Sequence, residues 1–569
     1  MAKNPKTAAG LGDRLWPLLA MLMSAVFLAY FVLLDRWLLS SKGFSPIFAV
    51  LLAVYDARAA WLSVLICFAA LFWTRADAVR RLGYRVGTYP LLFIAATVAA
   101  LAAASIVVYH EYPLAMDEYA AVFQAKIFAS GHLVGHFPPY LVKWLVAPGF
   151  NGMFLFGSPI TGRVIEGYWP GFAMLLAPFE WLGTPWLCNP ILAGIGLYFI
   201  HRITHEITRD RVAAGLAVLF SIASGAYVAN AISFYSMQAH LTANLLFAWL
   251  LMTPTRWRVF AAGVVGSFAL ILHNPFPHTL FAFPWLLSFA IDRKRRRLLV
   301  PLILGYLPIS LVGGVGWLWL RSRIGVDLHR VGTESIAGVF RWPDAIMWNA
   351  RVAGLAKLWV WAVPFLLVFA VAGFLRWRYD RHARLLAWSA ALTFCGYLFV
   401  VFDQGHGWGD RYFHSAWGVL PILAAAALAG ESMERDRLTA FAGAAAVLSL
   451  ALLVPYQLIE MDRFIGRHIA QIPAPRRPGN DVFFVNPVGG FYIGDMIQND
   501  PELRSADLRM FDYGSRRDAA LVKEFWPQAR KVDWGPFGEE WNLGPVDRRV
   551  VMPGSSTPRF VFPAKQPHR

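Results

Sequence analysis

The stretch MDEYAAVFQAKIFASGHL, residues 116–133, sets two adjacent carboxylates, Asp117 and Glu118, just after an apolar run of the roughly twenty residues that cross a bilayer. Ala120, Phe123 and Ile127, or Tyr119, Val122 and Lys126, fall at helical spacing, and Gly131 closes the segment. The pattern predicts an amphipathic helix at the membrane edge rather than another span. Asp117 is then the expected N-cap and Glu118 a favourable first-turn charge, together worth about 1–2 kcal/mol. A capping residue needs no acidic neighbour, however. An acid held at the lipid edge is also placed for general-base work on a bound hydroxyl.

The surroundings of this stretch are those of a membrane protein. The 569 residues are 57% hydrophobic and 15% charged, with 24 Trp and 43 Phe, against about 45–50% apolar in soluble proteins. Long apolar runs recur from Trp16 to Tyr456, so the expected fold is an all-α polytopic membrane domain. The basic MAKNPKTAAGLGDR start leads into a full-length apolar run and reads as a retained first helix rather than a cleaved signal. A formal net charge of +17 would suggest nucleic acid in a soluble chain. Here the Lys and Arg gather in short tracts between apolar runs, such as RADAVRRLGYR, HRITHEITRDR, DRKRRR at 292–297 and RWRYDRHAR at 376–384. That is the pattern of cytoplasmic loops, and no nucleic-acid partner is expected. Cys67, Cys188 and Cys395 all lie in apolar segments, with no CxxC, so no disulfide framework or thiolate metal site is indicated.

With basic tracts inside, spans near 16–38, 59–74 and 89–109 leave a loop at 110–166 outside. The region 168–204 must then cross an odd number of times, so one of GYWPGFAMLLAPFEWLG and NPILAGIGLYFI is expected to be interfacial or re-entrant. Segments near 212–230, 236–252, 258–274, 276–291, 298–320, 355–375, 385–402, 412–430 and 438–457 continue the alternation, for about thirteen spans. Residues 1–458 form this membrane domain. Residues 459–569 turn polar, with IPAPRRPGN followed by the strand-like DVFFVNP, a helix RRDAALVKEFW and a strand pair RRVVMP and RFVFP. They read as a small C-terminal α/β domain on the external side.

This threading sorts the unusual polar residues by side. Asp117, Glu118, Lys143, Arg163, Gln238, His240, His273, His278, Asp403, His406, Asp410, Arg411 and His414 all fall at or above the outer boundary, while the inner loops carry mostly Arg and Lys. Chemistry is expected outside, where nucleotide sugars and ATP are absent. His406, Asp410, Arg411 and His414 crowd nine residues bracketed by Gly405, Gly407 and Gly409. Arg411 and His414 sit where the chain enters the lipid, a place where charge is expensive and usually has a role. His273 and His278 are five apart with a proline between, so they do not form the i, i+4 pair of a zinc site.

The acid pair followed by YAAVFQAKIFASGHL, then YWPGFAMLLAPFEWLG, resembles the first external loop of polyprenyl-phosphate-sugar-dependent glycosyltransferases of the GT-C fold, among them protein O-mannosyltransferases and lipid A aminoarabinose transferases. GHGWGDRYFHSAWGVLPIL, 405–423, is similar to that family's loop with an Arg-Tyr pair. The chain departs from the family in having two spans before the one that leads into the acids, and in reading His273-Asn274-Pro275 where relatives carry Arg-Pro. The resemblance implies Asp117 as the base that deprotonates an acceptor hydroxyl and Glu118 as its partner in orientation or metal contact. A divalent cation, Mg or Mn, held if at all by Asp117 and Glu118, is the one cofactor it leaves open. Arg411, Lys143, Arg163, His273 and His278 are the cations available to meet the donor phosphate, with Asp403, His406, Asp410, His414, Gln238 and His240 as further candidates. The implied partners are a polyprenyl-phosphate-linked sugar donor, an envelope glycan, lipid or protein acceptor, and membrane lipids. The implied place is a bacterial inner membrane, crossed many times, with the site and the C-terminal domain on the periplasmic side. A transporter or flippase of lipid-linked sugars would need ionisable residues along a path through the bilayer, and an O-antigen-ligase-type enzyme would replace the acid pair with a large basic external loop.

Overall fold

The computed structural model describes residues 12–38, 45–325, 339–430, 433–476, 480–505 and 507–544. Helices make up the apolar part, as they must where lipid offers the backbone no hydrogen-bond partner. Among the described residues, five are long and apolar enough to cross a membrane, Leu15–Leu33, Pro46–Leu71, Pro90–Val107, Arg296–Ser322 and Arg435–Ile469. Arg211–Ile222 and Gly225–Ile232 meet at 64° and make a sixth if taken as one broken span. Met237–Met252, Phe276–Ile291, Leu366–Trp377 and His414–Ala427 are shorter apolar helices. The thirteen expected spans therefore do not appear as thirteen full-length helices.

The second span shows why the boundaries moved. The sequence places this span near 59–74, yet the helix starts at Pro46 and runs through one wide turn at Leu51–Asp56. Asp56 is tolerated inside because it is paired. Its carboxylate accepts from Lys357 Nζ at 2.6 Å and Trp361 Nε1 at 2.6 Å, and the Asp56 and Lys357 side chains are 1% and 0% exposed. Elsewhere close helix contact depends on small residues. A Cβ on Gly263, in the helix Arg256–Ile271, would stand 2.3 Å from the Leu302 carbonyl oxygen of the neighbouring Leu299–Ile309.

Outside the bundle, the loop after Pro90–Val107 folds into the expected helix, Met116–Ala129, and an unexpected small antiparallel sheet. Its strands β1 (Gly135–His136), β2 (Leu155–Gly157) and β3 (Arg163–Glu166) lie in the order β1-β3-β2. The C-terminal part forms a four-stranded sheet of β4 (Asp481–Val485), β5 (Asp507–Phe511), β6 (Arg530–Gly535) and β7 (Gly538–Asn542), in the order β5-β4-β7-β6. β4 and β5 run parallel, and the helix Ser515–Phe525 connects β5 to β6. The first strand and this helix match the sequence expectation; the β6–β7 hairpin was not anticipated, and the pair RRVVMP and RFVFP lies outside the described residues. These two parts share one core, in which Met116, Tyr119, Phe123 and Leu145 pack with Val482, Phe484, Leu508 and Met510. Tyr140 stacks on Phe525 with ring centroids 4.5 Å apart, and Trp144 donates to Asp518 at 3.2 Å.

Candidate active site

The two acids divide their work differently from the expectation. The N-cap of Met116–Ala129 is Ala115, in extended conformation, with no side-chain oxygen to offer. Glu118, the third helical residue, reaches back in its place and accepts from the backbone N–H of Ala115 at 3.2 Å and of Leu114 at 2.9 Å. It also accepts from the Phe234 N–H and the Tyr109 hydroxyl, each at 2.8 Å. Burial pushes its carboxyl up to about 7 while these donors pull it down. A carboxylate with its acceptor capacity filled by four donors has none left for a metal or an acceptor sugar. Glu118 is the staple that fixes the helix start to the preceding span and to the 232–236 turn.

Asp117 is left free of capping, and its side chain is 23% exposed. One oxygen accepts from the Tyr168 hydroxyl and the other faces both Nη atoms of Arg411 at 3.3 Å. The Tyr168 ring lies against His273, centroids 3.9 Å apart. Burial raises the Asp117 carboxyl, but Arg411 and the Tyr168 hydrogen bond outweigh it and hold the group below the usual carboxylate range. Burial itself brings His273 down to about 4, so the ring is neutral near pH 7 and the lowering there comes from Arg411 and Tyr168.

Arg411 is aimed by the glycine-rich loop. Its backbone N–H donates to Gln404 Oε1 at 2.9 Å, its guanidinium donates to the Gln404 carbonyl, and Gln404 Nε2 donates to the Gly409 carbonyl at 2.7 Å. The guanidinium lies 4.2 Å over the Tyr235 ring. Gly407, at φ 111°, leaves the space for this side chain, since a Cβ there would stand 2.3 Å from Arg411 Cδ. The Nε–H of Arg411 is buried without a partner and both contacts to Asp117 are long. An anion entering here would find donors to spare.

A small enclosed cavity joins Asp117, Tyr168, Tyr235 and His273, with Glu166 on its wall. Burial raises the Glu166 carboxyl well above its ordinary range. Next to it, a wide apolar groove of about 930 Å³ runs between Gly171–Trp181 and residues 312–320, lined by Met174, Pro178, Trp181, Val312 and Trp319. Trp317 connects the two, lining the groove while its Nε1 donates to the Tyr168 carbonyl at 2.8 Å.

Of the expected site residues the structure brings together Asp117, Arg411 and His273, and places the others elsewhere. Lys143 is exposed over the Trp144 ring at 4.2 Å, and Arg163 is exposed on β3, so neither lines the Asp117 cavity. His278 is buried between Asn244 Oδ1 and the Tyr306 hydroxyl, both at 2.7 Å. His414 Nε2 meets Gln238 Oε1 at 3.2 Å, and His240, on the helix Met237–Met252 that carries Gln238, is also buried. Asp403 accepts from Ser45 N–H at 2.6 Å and Ser45 Oγ at 2.8 Å at the start of the second span and does not line the Asp117 cavity. His406 pairs with Asp495 of the C-terminal part at 3.1 Å. Asp410 is buried, accepts from Phe413 N–H at 3.3 Å and lines a separate cavity with Arg351. Among the described residues no group of three or more His, Cys, Asp or Glu is placed to hold a metal ion. Tyr168 and Tyr235 complete the site; Tyr235 falls at the outer boundary in the sequence threading, but neither tyrosine carries a motif that marks it as a site residue.

No family model matches the sequence, and no curated protein matches it. Among solved structures, the chain is similar to ArnT from Cupriavidus metallidurans, in one crystal structure bound to undecaprenyl phosphate and in another in the apo state. Each alignment covers 80% of this chain and 98% of that one, at 13% identity and a TM-score of 0.48. Likeness at that distance carries no weight for function, which has to be argued from the side chains themselves.

Proposed function

We propose that the protein is a membrane glycosyltransferase that moves a sugar from a polyprenyl-phosphate donor to a hydroxyl of an envelope glycan, lipid or protein on the external face. The observation that carries this is the Asp117–Arg411–Tyr168 constellation beside a wide apolar groove. A base, an under-used guanidinium and an apolar channel are what a lipid-linked phosphosugar and an incoming hydroxyl require. The isoprenoid chain lies in the groove along Trp181 and Trp319, and the phosphate takes the donors of Arg411. Asp117, relieved of its ion pair, accepts the acceptor's proton as the acceptor oxygen bonds to the anomeric carbon. The bond from that carbon to the phosphate oxygen breaks, and polyprenyl phosphate leaves with its charge met by Arg411. A single displacement inverts the anomeric centre and needs no covalent enzyme intermediate. Tyr168 keeps Asp117 oriented, since burial and the neighbouring carboxylate hold its hydroxyl protonated.

The test is purified full-length protein in lipid vesicles with radiolabelled polyprenyl-phosphate sugars and candidate envelope acceptors. Transfer with inversion supports the reading. Consumption of no monophosphate-linked sugar by the wild type sinks it.

A further inference from the structure

The helix Met116–Ala129 has a second working face. Asp117 and Ala121 line the transfer cavity, whereas Tyr119, Val122, Phe123 and Lys126 line a cleft of about 270 Å³ on the opposite side, between the outer surface of the bundle and the C-terminal domain. A helix is about 10–12 Å across with its side chains, so the two spaces are separate.

The walls of this cleft have a mixed character. Lys126 faces Asp500 at 3.4 Å and Arg509 pairs with Asp507 at 2.8 Å, so each cation is already neutralised by its own acid. Glu111 and Glu180 add acceptors, and one Glu180 oxygen is buried without a partner. Tyr112 supplies a half-buried aromatic ring, and Tyr119 and Phe123 back the cleft from within the core. Paired charges with spare acceptors hydrogen-bond hydroxyl groups, an aromatic ring covers ring C–H groups, and surplus acids repel a phosphate. The walls are also rigid, because the Tyr119 hydroxyl is held by the Asn499 carbonyl at 2.6 Å and by its N–H at 2.8 Å, and Gln498 Nε2 reaches the Pro113 carbonyl at 2.8 Å. Ligand sites favour such junctions between folded parts.

We propose that this cleft binds an uncharged saccharide of one or two rings, the part of the acceptor remote from the bond being made. The assignment of that saccharide to the acceptor rests on the transfer reading above; the binding itself does not.

The experiment is saturation-transfer NMR on full-length detergent-solubilised protein, with glucose, N-acetylglucosamine and lactose as probes and inorganic phosphate as competitor. The expected result is saccharide saturation in wild type and in Asp117→Asn, reduced about tenfold in Glu180→Gln and Lys126→Met, with no competition by phosphate. Glu180→Gln keeps the shape of the side chain, so a lost signal there reports the cleft and not unfolding. Absence of saturation for every probe in wild type, or an unchanged signal in both cleft variants, overturns the proposal. Saccharide binding without any transfer from a polyprenyl-phosphate sugar leaves the cleft standing and defeats the transfer reading. Transfer with no probe bound and an unchanged acceptor KM in both variants does the reverse.

Discussion

At the residue scale the site turns on two neighbouring acids with opposite fates. Asp117→Asn keeps the size of the side chain and removes the base, so transfer should fall by about 10²–10⁴ while the protein remains folded; an unchanged rate in a vesicle assay would reject the assignment. Glu118→Gln should act on stability instead. Its amide cannot accept all four hydrogen bonds, and each donor left unanswered costs about 1–3 kcal/mol; a lowered Tm is the readout. The pH dependence follows from Arg411. A carboxyl held below its ordinary value of about 3.9 stays ionised until pH falls through the depressed value, so kcat/KM of the free enzyme should have its acid limb below that point. Once a donor phosphate engages Arg411 and adds its own negative charge, the Asp117 carboxyl rises, and the acid limb of kcat should lie at higher pH than that of kcat/KM. Coincident limbs would mean that phosphate does not displace the ion pair.

At the element scale the 404–411 loop is what the geometry of Arg411 depends on. Gly407→Ala puts a methyl against Arg411 Cδ at a backbone angle that L-residues avoid, and should reduce activity far more than it lowers Tm. The loop is also seated from below. Trp361, whose indole N–H donates to Asp56, packs 5.7 Å from the Trp408 ring and close to Gly409. Asp56→Asn leaves the Lys357 charge buried alone and should destabilise by about 3–5 kcal/mol, whereas Asp56→Asn with Lys357→Met should recover most of that loss. Thermal unfolding of the three proteins measures it, and equal losses in single and double variants would deny the pairing. These elements also show what a sequence can disclose. The helix after the acid pair was legible because spacing and Gly131 mark it, and Arg411 stood out because charge at a lipid boundary is rare. The extension of the second span back to Pro46 was not legible, since a buried acid such as Asp56 is tolerated only with its partner, 301 residues away. The roles of Asp117 and Glu118 were not legible, because which acid caps depends on Tyr109 and Phe234 arriving from other elements.

At the scale of the whole molecule, the loop that carries Asp117 and the C-terminal domain fold as one unit above the bundle. Met116, Tyr119 and Phe123 on the site helix bury themselves against Val482, Leu508 and Met510, and Asn499 fixes the Tyr119 hydroxyl from both its N–H and its carbonyl. The His406–Asp495 pair adds a contact to the Arg411 loop, with the Tyr492 ring 4.8 Å from His406. A C-terminal domain that merely recruited acceptor could be removed at the cost of KM alone. This one supplies part of the hydrophobic core under the helix Met116–Ala129, and buried apolar side chains stabilise by about 1.5–3 kcal/mol each. A chain ending after Ile469 should therefore insert in the membrane but fail to order residues 110–166. Limited proteolysis of vesicles should cut within that loop in the truncated protein and spare it in the full-length one, and transfer should be lost in kcat rather than in acceptor KM. A truncated protein with a protected loop and a normal kcat would show that the membrane domain builds the site without help.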